Sequence, residues 1–589
     1  MRLSLTRRCF VGLGIASPLL GLSADAKSAG GEAADWPIWA PPRSTLYDRI
    51  RTAAAREGKD IRGFGATLDG KSDDTAAMEK ALASGARVIV IPGHKGSRMR
   101  LTRALAIDHE VLIVGVGGRP VISAENREQT LFTAALPGDD AKAFLQEIRF
   151  DNLTFERPEP RRAHGVALLG YNVRNVSVTR CSAIRMGLIE VNHVLQRQRR
   201  YLRSKGDNAT DPAVLAGFSA TNTDDLNEHV LVYDCTVDAK SHFCQLARLE
   251  FTRQVAVAHC QGRFACVSWW GGGGRRNQGG DLAFLRRARD IYVCDNVFSG
   301  AIGGIYGNNG QNILVARNHV SMVTDIGIDF EGCIDVLATG NTVENAGNYC
   351  YATLFAAKNV VFENNIAVQD GAATNIHERY GARKVGGVRG RTLFALRSAG
   401  FAGSTGAVDV AYRRNRFVWR GPDGVGSCLA SYFDSLELTG NVLENVLCPM
   451  AYSSTQHLVV RENVLRFSRN DFTERPVLSG SGGDMTIAGN TIEASQPLPG
   501  AAIAIFAQLS ERTRSVSVTN NRIKVAGAAA IEIAGHPSDP GTGAVTVNGN
   551  IGAAIRIPEG RVASVSGNRL ADGTPAAVTR VPAASPAAS

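Results

Sequence analysis

Aromatic side chains make up only 7% of this 589-residue chain, against 63 glycines, a balance that suits tightly turned coils better than one large globular core. After the first 25 residues no stretch is apolar enough to span a bilayer, which argues against a permanent membrane anchor. The 11 cysteines include no Cys-x-x-Cys pair, so neither a zinc site nor a dithiol redox site is indicated. No Gly-x-x-x-x-Gly-Lys-Ser/Thr occurs, and the run Gly271 to Gly274 lacks that lysine, which disfavours a nucleotide-dependent enzyme. The formal net charge of +10 comes without a nucleic-acid recognition motif or a Lys/Arg-rich helix. A basic surface of this kind favours an acidic polymer, and nucleic acid is not an expected partner.

What the chain has is a short phrase of alternating apolar residues closed by x-Asn or x-Cys. It ends at Cys181, Cys235, Cys260, Asn296, Asn318 and Asn341, and continues through Asn365, Asn415, Asn441, Asn463, Asn490, Asn521, Asn550 and Asn568. The commonest intervals are 22 to 27 residues, and the 50-residue gap from Asn365 to Asn415 reads as a skipped mark. That period belongs to a solenoid whose coils are made of short strands. Alternation sends one side chain inward and the next outward, while Asn tolerates a left-handed corner and can bond to the Asn of the next coil. Cysteine at three successive marks fits a drier part of the same column. The fold class read from the pattern is all-β, a parallel β-helix.

The N-terminus, Leu5-Thr6-Arg7-Arg8-Cys9-Phe10-Val11-Gly12 followed by an apolar stretch and Ala24-Asp25-Ala26, has the form of a twin-arginine export signal with a small-residue cleavage site. The expected location is periplasmic or secreted, with the twin-arginine export machinery as a transient partner. Export of an already folded chain would leave most of the ten remaining cysteines as buried free thiols, with Cys235 and Cys260 on adjacent coils.

Residues 46 to 57 have helical spacing. They precede Gly63-Phe64-Gly65-Ala66, then Asp69-Gly70-Lys71-Ser72-Asp73-Asp74-Thr75-Ala76-Ala77-Met78, then Val88-Ile89-Val90-Ile91-Pro92-Gly93. Asp73 and Asp74 suit a helix N-terminus. This run resembles the N-terminal cap segment of the pectate lyase superfamily, in particular its rhamnogalacturonase and epimerase-like branch. The resemblance implies a single-stranded right-handed parallel β-helix with an N-terminal helical cap, and it assigns Asp73 and Asp74 to the cap. It does not choose between hydrolase, lyase, epimerase and non-catalytic adhesin. The divisions read are a signal peptide over 1–26, a flexible linker over 27–45, and a cap with the first coils over 46–145. The β-helix with loop insertions follows over 146–571, and a disordered tail over 572–589. Three segments, 192–228, 271–289 and 370–405, break the coil pattern and read as projecting loops.

Aligning the strands that follow each mark sets Val267-Ser268-Trp269-Trp270 beside Ile305-Tyr306-Gly307-Asn308, then Ile328-Asp329-Phe330-Glu331, then Cys350-Tyr351-Ala352-Thr353. If Ile328 and Phe330 point inward, Asp329 and Glu331 share the outward face, about 6.6 Å apart along the strand. That lies within the separation of roughly 6.5 to 9.5 Å used by inverting glycosidases, so Asp329 is read as base and Glu331 as acid, with Asp325 as a third acid. Trp270, Tyr306, Asn308 and Tyr351 are the expected sugar contacts, joined by Arg275, Arg276 and Arg379 from the loops. The function read is an exported glycoside hydrolase acting on an acidic polysaccharide, with no cofactor. A uronate lyase is the alternative, with Arg275, Arg276, His377, Arg379, Tyr380 and Lys384 supplying its groups and Glu250, Asp329 and Glu331 holding calcium. A non-catalytic polysaccharide binder is the other.

Overall fold

The structure is a computed structural model. It describes Pro37 and residues 39–125, 130–138, 140, 142–158, 165–194, 226–240, 244–271, 287–354, 357–373, 393–394, 408–428, 433–470, 476–506, 515–534, 544–559 and 563–581. The chain divides into two compact units, Met1–His319 with Ile334–Val336, and Val320–Cys333 with Leu337–Ser589. Each is built of right-handed parallel β-helical coils, and the whole chain is 58% strand.

In the first unit one coil runs from Val173–Thr179 through Ser182–Ile184 to Gly187–Asn192, and the next begins at Asn227–Tyr233. Each strand pairs in parallel with its counterpart one coil away, as Val176 with Val230, Ala183 with Val237, and Leu168 with Ile189. Coils thus present a long first strand, a three-residue second strand and a third strand. Inward residues of the long strands, such as Val176, Val230, Val255 and Ile291, are almost fully buried. Two helices accompany the first coils, Thr75–Ala83 and Arg43–Glu57; the latter lies along the first sheet rather than over the end of the stack, its Tyr47 hydroxyl donating to Asp234 of a later coil. Asp74 occupies the N-cap position of the second helix, but its carboxylate makes no cap bond and instead accepts from the amides of Thr67 and Leu68 in the preceding loop, while Asp73 accepts from the Thr75 amide. The first helix begins at Arg43, inside the expected linker.

The second unit repeats the plan, with Lys358–Glu363 beside Val408–Arg413 and Ile366–Gln369 beside Arg416–Trp419. Its core carries an aromatic column: Phe330 packs on Phe362 at 5.6 Å, and Phe362 stacks on Tyr412 at 4.6 Å. Strand structure continues to Val578–Val581, which pairs with Ile555–Pro558. Residues 578–581, which the sequence pattern assigned to the tail, are therefore strand.

The corner differs from the expectation in one respect. The marked Asn or Cys is not left-handed; the residue before it is. Arg180, Asp234, His259, Asp295 and Arg317 in the first unit, and Gly340, Asn364, Arg414, Gly440, Glu462, Gly489, Asn520, Gly549 and Gly567 in the second, all have φ between 49° and 66°. That turn aims the marked side chain into the coil. There the amides form a ladder: Asn341 donates its backbone N–H and its Nδ2 to Asn365 Oδ1, both at 2.9 Å. The same pair of bonds joins Asn365 to Asn415, at 2.9 and 3.0 Å, and continues to Asn568. No mark is skipped between Asn365 and Asn415, because one coil carries the whole insertion. Asn296 also donates to the Val257 carbonyl of the previous coil, as Asn415 does to Phe362 and Asn441 to Tyr412. Cysteine does this with its thiol, Cys235 donating to the Val178 carbonyl and Cys260 to that of Val232. All ten cysteines in the described residues are free and buried, and burial pushes the Cys181 thiol up to about 12. Among the described residues no helix is long and apolar enough to cross a membrane.

Candidate functional site

The carboxylate pair lies on the third-sheet strand Ile328–Glu331 of the second unit. Ile328 and Phe330 are fully buried, and Phe330 meets the core aromatics, so alternation turns Asp329 and Glu331 outward together. Yet both are shielded, at 5% and 9% exposure. Asp329 pairs with Ala352 and Glu331 with Leu354, and these belong to an apolar cluster with Ile326 and Tyr349 outside the coil. The carboxylates thus stand beside an apolar wall rather than in open water.

Tyr351 corrects the sequence alignment. Strand pairing sets Tyr351 opposite Ile328, one residue out of the expected register, and a one-residue slip moves every side chain to the other face. Tyr351 is fully buried, and its hydroxyl lies 2.9 Å from the Asn341 carbonyl and 2.8 Å from that of Ile366. It supports the core and does not face a ligand; Thr353, fully buried beside Phe330, moves with it. Asp325 binds a turn, accepting from Asn348 Nδ2 at 3.0 Å while its carbonyl accepts the Asn348 amide.

In the first unit the third sheet places Trp270, Tyr306 and Asn308 on one side. Trp269 is fully buried and Trp270 partly exposed. The inward ring sits over glycine, since a Cβ built at Gly307 would lie 2.1 Å from it. Strand register sets Glu190, Arg248, Ser268 and Tyr306 in one outward column, and Glu250, Trp270 and Asn308 in the next. Trp270 and Tyr306 meet edge to face at 6.4 Å. Gln245 Nε2 donates to the Tyr306 hydroxyl at 3.2 Å, and its Oε1 accepts from Ser268 Oγ at 3.0 Å. Burial, then the neighbouring Cys266, holds the Tyr306 phenol well above its usual value, so it remains a hydroxyl.

Arg248 is the residue the sequence reading passed over. Its Nε and Nη2 donate to Glu250 Oε1 at 2.9 and 2.6 Å, and its guanidinium lies 5.9 Å from the Trp270 ring centre. Alternation in Arg248-Leu249-Glu250 carries the signal, but a register irregularity between Gln245 and Ala247 interrupts it. Arg275, Arg276, His377, Arg379, Tyr380 and Lys384 lie outside the described residues. No group of three His, Cys, Asp or Glu side chains among the described residues converges as a calcium site requires. A cavity of about 380 Å³ between the first helix and the first sheet is lined by Val90, Val114, Asp151 and Arg180. Asp151 and Arg180 are bonded to each other and the remaining charged lining residue, Arg51, to Asp48, so it offers no convergent chemistry.

No family model matches the sequence, and no curated protein sequence does. Among solved structures, the tailspike protein of E. coli bacteriophage HK620 is 11% identical, with 89% of this chain and 80% of that chain covered and a TM-score of 0.44. The Family 28 exopolygalacturonase of Yersinia enterocolitica is 12% identical, with 76% and 77% covered and a TM-score of 0.41. PfbA, a surface adhesin of Streptococcus pneumoniae, is 12% identical over 76% and 91%, with a TM-score of 0.37. At such identities the assignment rests on the coils themselves. The coils show the fold alone, a right-handed parallel β-helix.

Proposed function

We propose that the chain cleaves a polysaccharide by hydrolysis, with Asp329 and Glu331 as the paired carboxylates. The observation that carries this reading is their placement: two carboxyl groups, two residues apart on one strand face, beside the apolar cluster of Ile326, Tyr349, Ala352 and Leu354. A hydrolase of this kind needs one carboxyl to keep its proton and give it to the leaving glycosidic oxygen, while the other draws a proton from the attacking water. Two like charges held close beside apolar surface favour that division of labour. Glu331 is assigned as acid and Asp329 as base. The aromatic and polar columns around Trp270 are assigned as a sugar-binding face. Export by the twin-arginine route belongs to the same proposal and rests on residues 5 to 26.

The experiment incubates the mature protein with neutral and uronate-containing polysaccharides, following reducing ends and the ultraviolet absorbance of unsaturated uronate together. Reducing ends alone support hydrolysis, and Glu331→Gln or Asp329→Asn should then lower turnover by about 10²- to 10⁴-fold while ligand is retained. Both signals together would replace hydrolysis by elimination. Binding without turnover in the unaltered protein would make the chain a polysaccharide binder.

A further inference from the structure

The outer face of the first sheet in the first unit carries a row of long polar side chains, held in register from coil to coil: Gln146, Arg174, Glu228, Arg253, Arg289 and Gln311. Glu228 is sandwiched within it. Arg253 Nη2 lies 2.8 Å from its Oε2, and Arg174 Nε lies 3.8 Å from the same oxygen. The alternation then fails, because Arg289 follows Arg253 directly. Neighbouring strands stand only about 4.8 Å apart, so two arginines lie side by side with no acidic side chain between them in the row. The Arg289 guanidinium has no hydrogen bond or ion pair among the described residues, and its Nε and that of Arg253 are both buried without an acceptor. Neighbouring groups do not fill the gap. Asp290 accepts from Asn312 Nδ2 and is ion-paired with neither arginine; burial pushes its carboxyl above the usual range, and the two guanidinium groups draw it only part of the way back. His229 is stacked on Trp39 and bonded to Asn175, and burial lowers its pKa, so it adds no charge near neutral pH.

A buried N–H of a cation left without an acceptor is costly, so this place on the sheet favours an anion. A carboxylate from outside would complete the pattern that Glu228 begins: set between Arg253 and Arg289, it can accept from both guanidinium groups, as Glu228 stands between Arg174 and Arg253 one step back. The row also sets the charge of the ligand. Arg174, Arg253 and Arg289 against Glu228 and Asp290 leave one positive charge, which one carboxylate cancels. Gln146 and Gln311 bound the row with uncharged side chains, so a polyanion with a charge at every step, such as nucleic acid, finds no second site along it. We propose that Arg253 and Arg289 bind a single uronate carboxylate of an acidic glycan on the first sheet, apart from the third-sheet strands that carry Trp270 and Tyr306. This rests on the glycan-acting reading for the source of the carboxylate, and it adds an anchoring site at which no bond is broken.

The test measures binding of the full mature chain to galacturonate, to oligogalacturonate and oligoglucuronate, and to neutral oligosaccharides of equal length. Calorimetry at two ionic strengths gives the affinities, with sulfate and phosphate as inorganic competitors. Arg289→Gln, checked for fold by circular dichroism, is the central variant. It should weaken both uronate oligomers about tenfold, remove much of the salt dependence of their binding, and leave neutral oligosaccharides unchanged. Without ligand its urea midpoint should stay level or rise, because the substitution strands no group of the protein. A fall in that midpoint would make Arg289 a structural residue and overturn the site. Uronate binding indifferent to Arg289→Gln would also overturn it, while leaving the glycan-acting reading in place. Sulfate or phosphate competing as well as galacturonate would overturn the carboxylate assignment. Arg289-dependent binding of galacturonate, with no polymer bound or cut, would support the carboxylate site and overturn the glycan-acting reading.

Discussion

Asn441 sits in the middle of the corner ladder of the second unit, and its replacement by alanine gives a loss that can be worked from its bonds. Its Oδ1 accepts the Asn415 backbone N–H at 2.9 Å and Asn415 Nδ2 at 3.0 Å. Its Nδ2 donates to the Tyr412 carbonyl at 2.9 Å and to Asn463 Oδ1 at 2.9 Å. Alanine keeps the backbone bond from residue 441 to Asn463, so the ladder below is dented rather than cut. Above, two donors of Asn415 and the Tyr412 carbonyl lose partners in a place where Asn441 and Asn415 are at most 1% exposed. At about 1 to 3 kcal/mol for each of these three stranded buried groups, the expected loss is about 3 to 9 kcal/mol. Urea denaturation followed by near-ultraviolet circular dichroism would measure it. Amide exchange would locate it, because solenoid stability passes between neighbouring coils and the Asn415 amide should lose protection while that of Asn550 keeps it. A loss below about 1 kcal/mol with Asn415 still protected would refute the claim that the ladder holds the corners.

Other expectations concern the corner, the glycine slot and acid stability. Gly440, at φ 66°, should not tolerate a β-branched side chain, and Gly440→Val should cost about 1 to 2 kcal/mol by denaturation. Gly307→Ala would drive a methyl group into the Trp269 ring, and a loss of about 1 to 3 kcal/mol or more should appear with altered tryptophan fluorescence. Glu437 is partly buried; burial raises its pKa, but the bonds and charge of Arg413 outweigh that and hold it below the usual 4.5. A depressed folded-state pKa gives stability that is present above the unfolded value and is lost as pH falls through the folded one. Glu437→Gln should therefore flatten part of the fall in urea midpoint below about pH 4.5, and an unchanged acid limb would count against the pair.

The repeat was legible because the ladder admits so few side chains. A residue there must reach a carbonyl of the previous coil, which Asn441 and Cys260 both do. The handedness of the preceding residue was not legible, since Arg180, Glu462 and Gly340 share no chemistry, only a backbone turn. The face of Tyr351 was misread because the sequence alignment set Cys350 opposite Ile328, and alternation alone cannot say which phase the strand takes; the pairing sets Tyr351 there instead. Packing decides it: Gly327 leaves no room for a Cβ, which would lie 2.4 Å from Val343 and 2.7 Å from the Cys350 carbonyl. The carboxylate pair was found by alternation, whereas its burial was not legible, because alternation says which side of a strand a residue takes and not what covers that side.

The bond from Asn365 to Asn415 closes a coil of 50 residues with the same geometry that closes the 24-residue step before it. Doubling a loop adds only about 0.6 kcal/mol of closure entropy, small beside the hydrogen bonds that seal the corner. The coil therefore works as a socket. Between Gln369 and Val408, the segments on either side of Leu393–Phe394, which pairs with Ser427 and Cys428 of the next coil, can be lengthened, shortened or exchanged without retuning the stack. New recognition loops could be grafted there on an unchanged frame, and natural variation in such proteins should concentrate in the same interval while the corners stay fixed.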